Sequence, residues 1–494
     1  MKTTILFILM VSTILSVNAQ KLVKTINAQV DKEELRSHLY FIASDAMRGR
    51  NTGTVENEIA AQYIASRFES YGVKPAPGAE SYFQQVSLMK SVSPRKASLS
   101  VGDKSFELET DMVFYTAKNG SFEGEVIYVG YGLEDDLKGL DLKGKVVVAK
   151  TGNGNPNERL TPYTIQKQKA VKEAGAVALI ELFKPGRYPW KLIQYYFSGE
   201  KYSLYDGEEG QEKEAGFPSA WLLDQEGDLL SYIEGLAAGT TASLEVGGQG
   251  NHVIKVPNVV GYIEGSDPKL KEEVIMITAH FDHVGVSKVD GDSIWNGARD
   301  NGIGVANMLT AAEFLAKNPP KRSIAFLACN AEEKGLLGSR WYAEHPVIPL
   351  EKTVYDLNTD TGGYNDVTKV TVVGFERTSV TNLFSTAASA FGLEAIDDPL
   401  PEENYYDRSD NVSFAAKGVP AVSFDPGYTE MNEEITKYYH QPADEPQTLD
   451  YDYLTKYSKA YIYAVSLIGN YSGDLFWTAG DKYEEAGKEL YGRD

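Results

Sequence analysis

The sequence predicts an α/β protein with a mostly parallel central sheet, helices on both faces, and an inserted β-rich lobe. Three observations lead there. After Pro257, short β-branched runs alternate with helical stripes, the pattern of strands joined by crossover helices. Acidic and imidazole residues follow directly after those runs. From about Lys96 to Glu245 the alternation gives way to short β-like runs punctuated by glycine.

Taken in order, residues 1–19 read as an export signal. Lys2 precedes an apolar run from Ile5 to Leu15, and Val17-Asn18-Ala19 supplies small residues for cleavage. The run is shorter than the roughly 20 apolar residues that span a bilayer, and no cysteine stands at the cleavage point for a lipid anchor. The mature chain is expected to begin near Gln20 and to be exported, to the periplasm or the medium. Residues 20–95 form the N-terminal part of the main domain. Leu35, Leu39 and Ile42, then Ile59, Tyr63, Ile64 and Phe68, recur at helical spacing on either side of the connector SDAMRGRNTGT. Residues 96–250 are the insertion, with strands at Glu125–Tyr131, Lys145–Ala149 and Ala176–Leu182 and a helix at Thr164–Ala174. Residues 251–494 return to alternation. Strands are predicted at Val274–Thr278, Ser323–Ala328, Val354–Leu357 and Ala421–Phe424, and helices at Gly302–Ala316, Leu336–Ala343, Thr378–Phe391 and Tyr451–Ile468.

Composition narrows the chemistry. With 494 residues, 42% of them hydrophobic, the chain has ample material for a core. Its net charge of -22 argues against phosphate-tracking nucleic-acid binding and against an anionic membrane surface. A single cysteine excludes an intrachain disulfide and a cysteine-rich zinc module, so a bound metal must use His, Asp and Glu.

Those residues gather where an open parallel sheet binds ligands, beyond the C-terminal ends of its strands. His280, Asp282 and His283 follow one strand, Glu332 and Glu333 the next, and Asp360 the third. Asp300 opens a helix and His440 lies in a polar loop before the last one. Singly, Asp300 reads equally as a helix cap and Glu332-Glu333 as a solvated pair. Together, at successive strand ends, they point to a metal site of hard carboxylates and imidazoles that suits zinc, cobalt or manganese.

The segments AHFDHVG, GARDNGIG, NAEEKGLLGS, LNTDTGG and YYHQPADE resemble the five metal-site motifs of the co-catalytic zinc aminopeptidases, a family that includes glutamate carboxypeptidases. HLYFIASDAMRGRNTGT and RSDNVSFAAKGVPAVSF extend the resemblance over most of the chain. It implies two zinc ions: His280 and Asp360 on one, Glu333 and His440 on the other, Asp300 bridging. It further implies that Asp282 holds the His280 imidazole in its tautomer, that Glu332 is the general base, and that Tyr439 stands beside the carbonyl oxygen. DLKGKVVVAKTGNG followed by KQKAVKEAGAVALIEL resembles a protease-associated domain.

The implied reaction is hydrolysis of a peptide substrate at a chain end, with an aminopeptidase as the first reading. Glutamate carboxypeptidase-like or dipeptidase activity is the alternative; Arg299 and Arg408 lie near the site in sequence and could meet a terminal carboxylate, as Glu402 and Glu403 could meet a free amine. Arg299 stands where many family members carry Asp, which bears on local charge and substrate preference. A binding protein that kept the fold and lost catalysis would lack ligands, and none of the five is missing. Cys329, in an apolar strand, reads as a packing thiol.

Overall fold

The computed structural model describes residues 19–493 apart from 157, 187, 208–215 and 288–290. The export signal therefore lies outside the described residues except at Ala19. Among them, no helix is long and apolar enough to cross a membrane. The chain divides into two compact units, residues 1–87 with 255–494, and Leu88–Ile254.

The larger unit is built on four parallel strands in the order Ala421–Pro426, Thr353–Asn358, Val274–His280, Ser323–Cys329. Every residue of Val274–His280 and Ser323–Cys329 is buried, as expected of strands covered on both faces. The sequence reading overlooked the antiparallel flanks. Lys369–Val373 runs antiparallel to Ala421–Pro426, and Gly250–Ile263 antiparallel to Ser323–Cys329.

Several helices of the larger unit start at a side-chain cap. Asp31 accepts from the amide of Glu33 ahead of Lys32–Ile42, Thr54 from Asn57 ahead of Val55–Tyr71, and Asp450 from Tyr453 ahead of Tyr451–Asn470. Each satisfies a donor that the first turn leaves open. Val55–Tyr71 stops at Gly72, whose φ of 84° suits the left-handed cap. Leu35, His38, Leu39 and Ile42 form the buried stripe of the first helix. Gly304–Lys317 is buried along most of its length, and one core joins these helices to the sheet through Leu39, Phe68, Ile277, Leu309, Phe326 and Tyr461. What this packing does for function is to hold four strand ends in register.

The second unit carries an eight-stranded sheet in which Val146–Lys150, Ala178–Phe183 and Ser219–Leu223 are parallel neighbours, with the helix Thr161–Glu173 between the first two in sequence. In the same unit, Glu200–Leu204 pairs with Leu88–Val92. At its centre is a fully buried ion pair: Lys167 Nζ lies 2.8 Å from Glu181 Oε1, and both side chains are 0% exposed. Lys167 Nζ also donates to the Lys150 carbonyl at 2.6 Å, and Trp221 Nε1 donates to Glu181 Oε2 at 3.1 Å. Removing one partner strands a charge in a desolvated site, which costs more than removing both. Lys167→Met is therefore expected to lower stability by about 3–5 kcal/mol, with partial recovery in the Lys167→Met/Glu181→Leu double variant. Urea unfolding measures both, and a single-variant loss under about 1 kcal/mol would contradict the account.

Candidate metal centre

The parallel register brings the chemistry-bearing residues together. His280 ends its strand opposite Cys329, and Thr278 stands opposite Asn358, so the chain leaves all three strands at one edge as 280–283, 330–333 and 359–360. Asp300 enters from the turn Ala298–Ile303 before the buried helix, and His440 from the loop after Glu433–Thr436.

Asp300 lies at the middle. Its Oδ1 is 3.3 Å from His280 Nε2 and its Oδ2 is 3.0 Å from His440 Nε2. Asp360 Oδ1 reaches His280 Nε2 at 3.1 Å, and Glu333 Oε1 reaches His440 Nε2 at 3.4 Å. Two groups able to hold a metal result, one of His280, Asp300 and Asp360, the other of His283, Asp300, Glu333 and His440, with ligand atoms inside 4.8 Å of one another in each. In tetrahedral zinc sites, bonds of about 2.0–2.2 Å put neighbouring ligand atoms about 3.3 Å apart. The four contacts of 3.0–3.4 Å fit that edge, and the mixture of imidazole and carboxylate fits zinc. His283 differs. Its Nδ1 is 2.7 Å from Glu333 Oε1, a hydrogen-bond length rather than a ligand–ligand edge.

Supporting bonds set each side chain. His280 Nδ1 lies 3.2 Å from the main-chain carbonyl of Asp282. A carbonyl only accepts, so Nδ1 donates to it, and Nε2 is the nitrogen turned to the Asp300 and Asp360 carboxylates. The Asp282 carboxylate is farther, 3.8 Å from Nδ1. Sequence reasoning expected it to orient the imidazole directly; instead it accepts from the Glu332 amide at 3.0 Å and from Thr52 Oγ1 at 2.9 Å. Asp360 is fixed from two sides, as Ser409 Oγ donates to its Oδ2 at 2.6 Å and its amide donates to Asp425 Oδ1 at 2.8 Å. Glu332 Oε2 lies 3.9 Å from His280 Nε2, and Tyr439 stacks on His440 with ring centroids 4.3 Å apart.

Charges divide sharply across this small volume. Burial alone would raise Asp300, yet hydrogen bonds from His280 and His440 hold it well below the usual carboxylate range. Burial and Asp300 act likewise on Glu333, which bonds from His283 and His440 hold down at about 2. The adjacent Glu332 goes the other way: burial, with Asp360 and Glu333 nearby, pushes it well above the ordinary value against the opposing pull of His280. His440 is pushed up to about 10, because its bonds to Asp300 and Glu333 outweigh burial.

Sequence reasoning gave His283 no role and missed Arg50, Thr52 and Asp444 as parts of this site, although each lies inside a quoted motif. Arg50 is fully buried and donates to the carbonyls of Phe281 at 2.8 Å, Ile42 at 3.0 Å and Gly297 at 3.1 Å, and also to that of Asn296. Arg299, expected to bear on substrate preference, is buried away from the cavity. Its Nη1 meets Asp444 Oδ1 at 3.0 Å and Thr448 Oγ1 at 2.7 Å, and its guanidinium lies 3.5 Å from the Tyr438 ring centroid.

Residues 258–465 match the model of peptidase family M28. That stretch, under half of the chain, is similar to the M28 peptidases. Among relatives of the chain, aminopeptidase YwaD of Bacillus subtilis is 27% identical over 320 residues, 64% of this chain and 60% of the relative. The match thus spans less than two thirds of that relative's length. An aminopeptidase from Aneurinibacillus sp. strain AM-1 superposes with a TM-score of 0.62 at 23% identity, covering 93% of this chain and 98% of its own. A zinc aminopeptidase from Bacillus subtilis gives 0.52 at 20% identity, covering 92% and 97%. At these identities the two structures speak for the fold alone.

Asp444 ties the His440 loop to the Asp300 turn. Its carboxylate accepts from the amides of Arg299 at 2.9 Å and Asp300 at 3.3 Å as well as from the Arg299 guanidinium. Asp444→Asn leaves a buried guanidinium without its counter-charge. The expected loss is about 3–5 kcal/mol of stability, read by urea unfolding in chelator so that metal affinity does not enter.

Proposed function

We propose that the protein is a dinuclear zinc exopeptidase that releases N-terminal residues from peptides. The observation that carries this reading is Asp300, one carboxylate with each oxygen turned to a different histidine, the arrangement a bridging ligand needs. His280 and Asp360 would complete one position, Glu333 and His440 the other. Zinc held there supplies Lewis acidity that polarises a carbonyl and brings the pKa of water to about 7.

The chain's own groups would do the rest. Glu332 lies beside the ligands without a place among them and carries a strongly raised pKa, so it is suited to take a proton from water and return it to the departing amine. Asp282 fixes the Glu332 main chain through its amide, and its own carbonyl accepts from Nδ1 of His280, leaving Nε2 as the nitrogen that would meet a metal. Tyr439 would donate to the developing oxyanion; burial and the carboxylates of Asp300 and Glu333 push its phenol above the usual range, so it keeps its proton at neutral pH. His283 would orient Glu333. The aminopeptidase relatives support cleavage at the N-terminus. The reading includes export through residues 1–19, and a protease-associated-like second unit on the strength of its strand, Gly152 turn, helix and strand.

Two substitutions at adjacent residues test the assignment. Glu333→Ala is expected to lose zinc, whereas Glu332→Gln is expected to keep it and lose turnover by about 10²–10⁴-fold. Metal content by atomic absorption and kcat on an aminoacyl amide separate the two. Near-normal turnover in Glu332→Gln would remove it as the base. For His283→Phe, zinc affinity should fall by about 10–100-fold, as for other groups that orient a ligand. Competition with a chromophoric chelator measures this, and unchanged affinity would leave His283 with packing alone.

A further inference from the structure

The cavity that holds the ligand cluster extends beyond it, with a volume of about 300 Å³. Its far wall is apolar and aromatic, formed by Val373, Leu400, Tyr405, Tyr428 and Ile435. Among the lining residues Arg408 is the one Lys or Arg, in company with Asp300, Glu332, Glu333, Asp360 and Glu403. Such a position invites an ion pair, yet Arg408 makes no ion pair or hydrogen bond with another described residue. Its guanidinium rests 5.4 Å from the Tyr405 ring centroid, and the Tyr405 hydroxyl is in turn bonded to that of Tyr428 at 3.0 Å.

The other arginines near this site are committed. Arg299 is locked to Asp444, and Arg50 to main-chain carbonyls. Arg408 follows a different course because the backbone pins its neighbour: Ser409 bonds to Asp360 at 2.6 Å, which places residue 408 at the cavity wall next to a metal-ligating group. Its charge is felt at Tyr439, where it opposes the upward push of burial and the carboxylates. A planar guanidinium held over an aromatic ring, exposed to a cavity and without a protein carboxylate, is the arrangement that takes a ligand carboxylate in a two-pronged pair.

We propose that Arg408 is the carboxylate-binding residue of the substrate cavity, so that preferred substrates carry a carboxylate within a side chain's reach of the scissile bond. This rests on the exopeptidase reading above. The carboxylate has two sources, an acidic side chain on the N-terminal residue or the free terminus of a dipeptide. Both present the same group to the guanidinium and differ only in where the backbone lies.

The experiment compares paired substrates with the zinc-loaded enzyme. Glutamyl and glutaminyl p-nitroanilides test the side-chain source; Ala-Ala and Ala-Ala-amide test the terminal one. In one pair the carboxylate member is expected to have a kcat/KM about 10–100-fold higher, the usual worth of a charge-assisted pair. Arg408→Gln should reduce that ratio to near one by raising KM for the carboxylate substrate, with the neutral member changed less than about threefold, and Arg408→Lys should restore part of it. Arg408 is exposed, so zinc content and thermal midpoint should stay at wild-type values. Equal hydrolysis within both pairs, or a preference that survives Arg408→Gln, overturns the subsite and leaves the exopeptidase reading standing. Zinc-loaded wild type that cleaves none of the four substrates overturns both.

Discussion

The Asp300 carboxylate, only 6% exposed as a residue and shared between two histidines, is the constraint to which the rest of the larger unit answers. A buried anion is costly unless paired, and of the six carboxylates that line this cavity four, Asp300, Glu332, Glu333 and Asp360, crowd around the imidazoles. Two divalent ions would bring four positive charges to these four groups. That balance explains why a chain that could have placed small apolar residues at its strand ends has carboxylates there instead. It also explains why the two imidazoles alone leave the cluster unevenly settled, with Asp300 and Glu333 held low and Glu332 driven high.

Holding Asp300 requires rigid main chain on both sides. From below, Arg50 gathers carbonyls of Ile42, Phe281, Asn296 and Gly297, tying the N-terminal segment to two site loops. From the other side, Asp444 accepts the amides of Arg299 and Asp300. The turn itself leaves no room for larger side chains. A Cβ on Gly297, which has φ of 59°, would stand 2.5 Å from the His283 ring, and one on Gly304 would stand 2.3 Å from Asn301 Oδ1. The GARDNGIG motif is thus as much a packing solution as a source of one ligand. Positioning of this kind, by residues remote from the chemistry, is what holds catalytic groups within fractions of an ångström.

The parallel strands were legible because burial on both faces demands continuous β-branched and apolar runs, as in Val274–Thr278 and Ser323–Ala328. His280, Glu333 and Asp360 stood out because parallel strands deliver their C-terminal residues to one edge, whereas Asp300 and His440, in a turn and a loop, stood out through the resemblance of GARDNGIG and YYHQPADE. Lys369–Val373 did not, being only five residues long and outside the strand–helix alternation, where it lies antiparallel to Ala421–Pro426 with Glu394–Asp397 on its other side. His283 was left without a role for another reason: a His three residues after His280 and next to Asp282 has no sequence mark to separate a ligand from a ligand's support. Only the 2.7 Å distance to Glu333 does that. Arg299 and Arg408 looked equivalent in sequence, and three-dimensional pairing with Asp444 is what separates them.

The opposed charge states of Glu332 and Glu333 follow from the chain path between them and the sheet. After Cys329 the backbone turns through Ala331, which sits at φ of 59°, a conformation unfavourable for a residue with a Cβ and stabilised by its surroundings. Asn330 secures it: its Oδ1 accepts the Ala331 amide, and its Nδ2 donates to Asn57 and to the Pro257 carbonyl. Asp282 then catches the Glu332 amide. With the main chain fixed at both points, the two glutamates have different partners. Glu333 meets His283 and His440, which stabilise its charge; Glu332 faces Asp360 and Glu333 across a desolvated gap, which destabilises its own. One tight turn at a strand end thereby sets side by side a carboxylate held low and one pushed high.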